Sequence, residues 1–501
     1  MTVFFILSCA RSGSTSLARI LNEADNGLCA IEPTPNLNVE TRLAMDGQLD
    51  DPSAVVRNLV LPRVHAAAAT TRVYGEKNVT YGPFIPHLYQ LTHCKFIFLK
   101  RDGRDVVRSL LDWHDCMFGD VYRECADPGE LTPRALAAAA SLPVHRDTSD
   151  FSRPRPTPGS AWDDHWETMS RFEMCAFYWA TINDLYRDEL DRLPHDAWFE
   201  LDYTRPDPDD ILAAADFCGL SGITRQLVQQ LLANHINSLQ DRAAGDPVHP
   251  RWMDWDARLR RSFHAIAGPT MQRLGFFDHP ATRWRPPDYG RCWRDHAADL
   301  PWYEWMYDTR RTMHEEALQW IHSFDQSPHP LSSIADFGCG LGVGYADALA
   351  DRRYVGFDLV ESSIDWCRQN RSNPRHEYHH LDFIRHPTPQ RYDAVISSGT
   401  IDNAYDVEAF LDAMINASSR WIYLTCYRGW FPDLDEHNYS WVDADRCFYT
   451  NVAPRRIREF LQQRGCENIT VEPRPTGRAD IPLETRVIAT VPPPAENAPD
   501  G

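Results

Sequence analysis

The sequence lacks any long apolar run. Its opening stretch, Val3 to Leu7, is far short of the roughly 20 apolar residues that a membrane-spanning helix requires. No basic segment precedes it, so a secretory leader is not expected. Paired cysteines are also missing. The thirteen cysteines are odd in number and scattered, with no CxxC pair and no Cys/His block of zinc-like spacing. Free thiols, a reducing cytoplasmic location and no metal site are the expectation. Positive charge is scarce: 51 Lys and Arg face 71 Asp and Glu, a net charge of −20. A general nucleic-acid binder needs a basic footprint to displace counterions from phosphates, so that class is set aside. The same balance disfavours highly sulfated or phosphorylated polymers as substrates. A local basic pocket for a small anion remains compatible with it. No repeat at solenoid spacing is visible.

What is present is a folded chain of two or three domains. Its 501 residues exceed one ordinary core, and its apolar (43%) and charged (24%) fractions are those of a globular protein. The chain begins strand, loop, helix: Val3 to Leu7, then residues 8–14, then Thr15 to Asn22. A second apolar strand, Lys95 to Leu99, precedes a helix at Val106 to Trp113. Strands alternating with helices imply a mostly parallel α/β sheet. Asp147 to Ser160, rich in Pro, Arg, Ser and Asp, reads as a surface loop. Helix is expected from Trp166 to about Leu193 and through much of Pro208 to Leu274, with a strand at Trp198 to Leu201. A Pro-, Arg- and Trp-containing stretch follows, and strand–helix alternation restarts at Ser333. The domains are placed at 1–285 and 301–492, joined by a linker at 286–300 and followed by a disordered tail at 493–501.

Residues 8–17 read Ser-Cys-Ala-Arg-Ser-Gly-Ser-Thr-Ser-Leu. Gly13 lets the backbone turn closely, and the amides that follow, at a helix N-terminus, suit a bound anion. Ser12, Ser14, Thr15 and Ser16 offer hydroxyls, and Arg11 a forked cation. The loop lacks the spacing and lysine of a Walker A motif. It is not a tyrosine-phosphatase loop either, because the sixth position after Cys9 is Thr15. Alone it could be a serine-rich helix cap. A second loop changes that balance: Arg101 sits just past a strand, and Ser109 lies eight residues later on the next helix. That spacing can bring guanidinium and hydroxyl to one phosphate.

Together these segments resemble the sulfotransferase family that uses 3′-phosphoadenosine 5′-phosphosulfate. The family's 5′-phosphosulfate loop, [K/R]-S-G-[T/S]-[T/S], matches Arg11 to Thr15. Its 3′-phosphate pair, an Arg and a Ser eight positions on, matches Arg101 and Ser109. Softer matches are Gly75-Glu76-Lys77-Asn78, Trp198 to Leu220, and Arg251 to Phe276. The family's RKGxxGDW segment is absent, and Asp241 to Trp252 is the candidate replacement. The resemblance covers about residues 3–277. It implies that Arg11 contacts the 5′-phosphate and leaving oxygen, that the Ser12–Ser16 backbone cradles the same group, and that Arg101 and Ser109 recognise the 3′-phosphate. In some bacterial relatives an "EP" segment supplies the general base, which makes Glu32 the first candidate, with His87 or His114 in reserve. A buried carboxylate with a raised pKa would suit that role.

Residues 334–342 read Ile-Ala-Asp-Phe-Gly-Cys-Gly-Leu-Gly, between an expected strand and the helix Tyr345 to Leu349. A second strand, Tyr354 to Phe357, ends in Asp358, placed to accept ribose hydroxyls. A third segment, Tyr378 to Asp382, ends in another acid, and a fourth, Tyr392 to Ser398, is followed by Gly399. Dehydrogenases share the first two features. The whole pattern resembles the class I S-adenosylmethionine-dependent methyltransferase fold over about residues 302–491. The resemblance implies that Gly338, Gly340 and Gly342 admit the cofactor, that Asp336 supports the loop and the methionine amine, that Asp358 binds ribose, and that Asp382 binds the adenine amine. Trp302, Tyr303, Trp305, Tyr427 and Trp430 could line an acceptor pocket or simply be core. Asp402 and His437 are candidate bases.

The expected architecture is therefore α/β: a P-loop-like sulfotransferase domain and a Rossmann-like methyltransferase domain. The expected enzyme sulfates and methylates a small or glycosylated acceptor, with no nucleic-acid partner. Two alternatives stand beside it: a sulfotransferase with a non-catalytic methyltransferase-like binding module, and an atypical kinase, which the missing Walker lysine disfavours.

Overall fold

A computed structural model describes residues 1–141, 153–234, 238–242 and 244–493. Part of the expected 147–160 loop and nearly all of the expected disordered tail lie outside these residues. The chain forms two compact units, Met1–Trp252 with Arg261–Phe276, and Met253–Arg260 with Phe277–Gly501.

The first unit is built on a five-stranded parallel sheet. Its strands are β1 (Thr2–Leu7), β2 (Gly27–Ile31), β3 (Val73–Lys77), β4 (Lys95–Lys100) and β5 (Trp198–Asp202), in the order β2-β3-β1-β4-β5. Central β1 and β4 are covered on both faces, which is why they read as unbroken apolar runs: Phe4 to Leu7 and Phe96 to Leu99 are fully buried. Edge strand β2 carries a weaker pattern, with Leu28 46% exposed, and it escapes sequence reading. The helix Arg171–Leu190 opens with a Ser170/Glu173 capping box and is buried along most of its length.

The second unit holds a seven-stranded sheet. Its strands are β6 (Ser333–Phe337), β7 (Arg353–Asp358), β8 (His376–His380), β9 (Tyr392–Ser398), β10 (Ser418–Cys426), β13 (Glu467–Pro475) and β14 (Leu483–Thr490). A small hairpin, β11 (Trp441–Val442) and β12 (Cys447–Phe448), stands apart. The order is β13-β14-β10-β9-β6-β7-β8, with β6 to β10 parallel and β14 antiparallel to both neighbours. Alternation divides the core between the two faces. Phe337, Phe357 and Val395 pack on one side, and Ile334, Tyr354 and Ile396 on the other.

The expected linker is corrected. Residues 286–300 belong to the second unit, where the buried Tyr289 packs in the core and donates to the Asn403 carbonyl at 2.6 Å. The segment expected to close the first domain also divides. Residues 253–260 join the second unit, where the Arg260 guanidinium lies 3.6 Å from the Tyr439 ring centroid.

Candidate functional sites

In the first unit, β1 runs into the loop 8–13 and the helix Ser14–Leu21. Arg11 (φ 65°) and Gly13 (φ 97°) take left-handed conformations. A Cβ at Gly13 would collide with the Tyr203 ring, so both backbone and space call for glycine there. The loop is pinned from several sides. Ala10 N donates to the Tyr178 hydroxyl at 2.7 Å, Cys9 Sγ lies 2.8 Å from Ser12 Oγ, and the Tyr203 hydroxyl donates to Ser16 Oγ at 3.2 Å. Ser12 and Ser14 are buried, while Thr15 and Ser16 are half-buried.

Three residues from three separate segments converge here. Arg11 Nε donates to Ser109 Oγ at 3.1 Å, and Arg101 donates to the Arg11 carbonyl at 3.0 Å. Arg101 Nε is buried with no hydrogen-bond partner among the described residues. The Arg11 guanidinium stacks 3.9 Å above Trp113. Burial first, then the charges of Arg101 and Arg242, lower the Arg11 pKa to about 10. Guanidiniums held this close favour an anion that relieves their repulsion. The stretch around Asp241 to Trp252 borders the helix that carries Ser109. Asp112 accepts from Val248 N and His249 N at 2.8 and 2.9 Å, and Arg104 lies 3.8 Å from the Trp252 ring.

Glu32 differs from expectation. Its side chain is 57% exposed at the end of β2 and accepts from Lys77 Nζ at 2.6 Å, so it is not the buried carboxylate expected. The buried acid of this sheet end is Glu76, satisfied by Arg63 at 2.9 Å and Tyr74 at 2.8 Å. His114 is buried, its Nδ1 accepts from Val121 N at 2.8 Å, and burial lowers its pKa to about 3. It is a neutral structural group. His87 is half-buried on the helix Ile85–Thr92.

In the second unit, the loop after β6 folds against β7. Gly338 N donates to the Phe357 carbonyl at 2.8 Å. Gly340 N and Val360 N each donate to the Asp358 carboxylate at 2.9 Å, while burial pushes that carboxyl above its ordinary range. At Gly340 (φ 52°) a Cβ would collide with the Tyr303 ring. A cavity of about 410 Å³ opens at the carboxyl ends of the parallel strands, where doubly wound sheets bind ligands. Gly338, Gly340, Asp358 and Asp382 line it. Asp382 accepts from the Tyr405 hydroxyl at 3.1 Å and pairs with Arg285 at 3.2 Å.

Asp336 and Gly342 are not among the residues that line the cavity. Asp336 is buried in the sheet and accepts from the Tyr354 hydroxyl at 2.6 Å, and burial raises its pKa to about 7. It supports the loop from below, and the expected contact with the methionine amine is withdrawn. Gly342 N closes the loop onto the Cys339 carbonyl at 2.8 Å.

Sequence reading missed Arg310, Thr400 and Asn403, all on the cavity wall. The Arg310 guanidinium lies 3.9 Å from the Tyr427 ring centroid and has neither hydrogen bond nor ion pair among the described residues. Nothing in its local sequence signals this. Thr400 and Asn403 follow Gly399, the one cue that β9 ends at a site. Of the expected acceptor-pocket aromatics, Trp302, Tyr303 and Tyr427 line the cavity. Trp305 is 61% exposed, and Trp430 packs against the core. Asp402 is buried and accepts from Tyr427 N and Arg428 N at 3.0 and 3.2 Å, and His437 Nδ1 accepts from Ala453 N at 3.0 Å. Both hold backbone and neither lines the cavity. Cys292 also lines the cavity, and its thiol is hydrogen-bonded to Cys447 and lowered in pKa by that bond. No group of three or more metal-ligating side chains occurs among the described residues.

Residues 334–419 match the family model of the methyltransferase domain. The second unit contains a methyltransferase domain. The chain is also similar to several solved structures. Magnesium protoporphyrin IX methyltransferase from Synechocystis PCC 6803 is 15% identical over 41% of this chain and 99% of that one, with a TM-score of 0.30. The 1,6-didemethyltoxoflavin-N1-methyltransferase of Burkholderia thailandensis is 16% identical over 41% of this chain and 90% of that one, with a TM-score of 0.32. An S-adenosylmethionine-dependent methyltransferase of Mesorhizobium loti is 17% identical over 36% of this chain and 97% of that one, with a TM-score of 0.28.

Proposed function

We propose that the chain carries two group-transfer sites, one for methyl transfer from S-adenosylmethionine in the second unit and one for sulfuryl transfer from 3′-phosphoadenosine 5′-phosphosulfate in the first. The observation that supports the methyl-transfer reading is the cavity at the ends of β6, β7 and β9, which Gly338, Gly340, Asp358 and Asp382 line. Asp358 would bind the ribose hydroxyls, Asp382 the adenine amine, and the backbone at Gly338 and Gly340 would admit the methionine portion. Arg310, with no carboxylate at ion-pair distance among the described residues, suits the methionine carboxylate. The cofactor supplies a methyl group on a sulfonium. The residues around it bind, orient and exclude water.

The sulfuryl-transfer reading is supported by the meeting of Arg11, Arg101 and Ser109 at the carboxyl ends of β1 and β4. Arg11 would stabilise charge on the leaving oxygen and Arg101 with Ser109 would hold the 3′-phosphate. Glu32 stands as the candidate base, with Lys77 beside it. Metal-free incubation of the whole chain with each labelled donor and an acceptor panel tests both readings. Label transfer from each donor is expected. Transfer of neither label would overturn both assignments, and transfer of one alone would retain only that site.

A further inference from the structure

Among the polar groups of the cavity wall that the cofactor assignment leaves unused are Asp445 and Tyr449, at the hairpin of β11 and β12. The Tyr449 hydroxyl donates to Asp445 Oδ2 at 2.8 Å. Among the described residues Asp445 has no ion-pair partner, whereas Asp382 in the same cavity is paired with Arg285. The Asp445 main chain is fixed where it stands, because Cys292 N donates to its carbonyl at 3.0 Å. Trp293, Trp302 and Tyr427 line the same cavity. A half-buried carboxylate with a free lone pair costs free energy unless a ligand donates to it.

We propose that Asp445, oriented by Tyr449, is the acceptor-binding carboxylate of the methyl-transfer site and takes the acceptor's proton. This rests on the cofactor assignment given above. The acceptor class is a planar aromatic carrying a hydroxyl or amino group. The ring stacks against the aromatic walls, and its O–H or N–H donates to Asp445. In the transfer, the bond between methyl carbon and sulfur breaks and its electron pair stays on sulfur. A new bond forms between the acceptor O or N and the methyl carbon, and the acceptor's proton passes to the Asp445 carboxylate. An aromatic carboxylate is rejected by charge at the same position.

Calorimetric titration of the full chain saturated with S-adenosylhomocysteine tests this, using 2-naphthol, 2-naphthylamine and 2-naphthoate as probes. The naphthol or the naphthylamine should bind at least about tenfold more tightly than the naphthoate, and which of the two leads separates hydroxyl from amine acceptors. Asp445→Asn should remove most of that preference while leaving S-adenosylhomocysteine affinity within about twofold, which also reports correct folding. Tyr449→Phe should weaken the preference less. Equal binding of naphthoate, or probe binding unchanged in Asp445→Asn, would overturn the proposal. Failure of S-adenosylhomocysteine to bind the native chain would instead overturn the cofactor assignment on which it rests.

Discussion

Arg11 Nε and Ser109 Oγ, 98 residues apart in the chain, meet at 3.1 Å across the ends of β1 and β4. Arg101 joins them through the Arg11 carbonyl. Arg101→Ala and Ser109→Ala should each weaken binding of 3′-phosphoadenosine 5′-phosphate. A lost charge-assisted contact costs about 1.5–3 kcal/mol. Calorimetry on both variants checks this, and unchanged affinity in both would remove the anion site.

Glu32→Gln should depress sulfuryl transfer while leaving affinity for 3′-phosphoadenosine 5′-phosphate intact, since the carboxylate sits on Lys77 rather than on the arginine cluster. Steady-state rates with a labelled donor decide it. Normal turnover would take Glu32 out of the mechanism.

Burial holds Asp336 at about 7, far above the ordinary 3.8. A folded-state pKa raised in this way means that the folded chain keeps a proton that the unfolded chain has released. The contribution to stability is fully present below about pH 4 and is lost as pH rises through about 7. Asp336→Asn keeps the acceptor for Tyr354 and removes the titration. Its stability, from denaturant unfolding, should fall less than that of the native chain between about pH 5 and about pH 8. A parallel fall in both proteins would contradict the assignment.

The order of events along the chain was legible because the central strands β1, β4, β6, β7 and β9 are buried on both faces and read as apolar runs. The two glycine-bearing loops that follow β1 and β6 were equally plain. Edge strand β2 was not, because Leu28 and Ile31 are exposed and only Cys29 is buried. The stretch 286–300 looked like a linker because prolines and arginines mask Tyr289, which is buried by contacts distant in sequence. Arg310 was invisible for a related reason. A single cation in the turn between two helices acquires meaning only when a fold places it over Tyr427 with no carboxylate at ion-pair distance among the described residues.

Cys292 is the one partly exposed cysteine, and the other twelve are buried. Brief treatment with iodoacetamide should label Cys292 first, and S-adenosylhomocysteine should slow that labelling, because Cys292 lies on the cavity wall. Peptide mass mapping checks both. Labelling that is indifferent to S-adenosylhomocysteine would place the cofactor elsewhere.

Two independent cofactor sites on one chain are tested most directly by calorimetric titration of the whole protein with S-adenosylhomocysteine and with 3′-phosphoadenosine 5′-phosphate. Each ligand should bind saturably. Asp358→Ala should lose most of the first binding and none of the second, and Arg101→Ala the reverse. Native protein that binds neither ligand, or either substitution impairing both sites equally, would contradict the two-site reading.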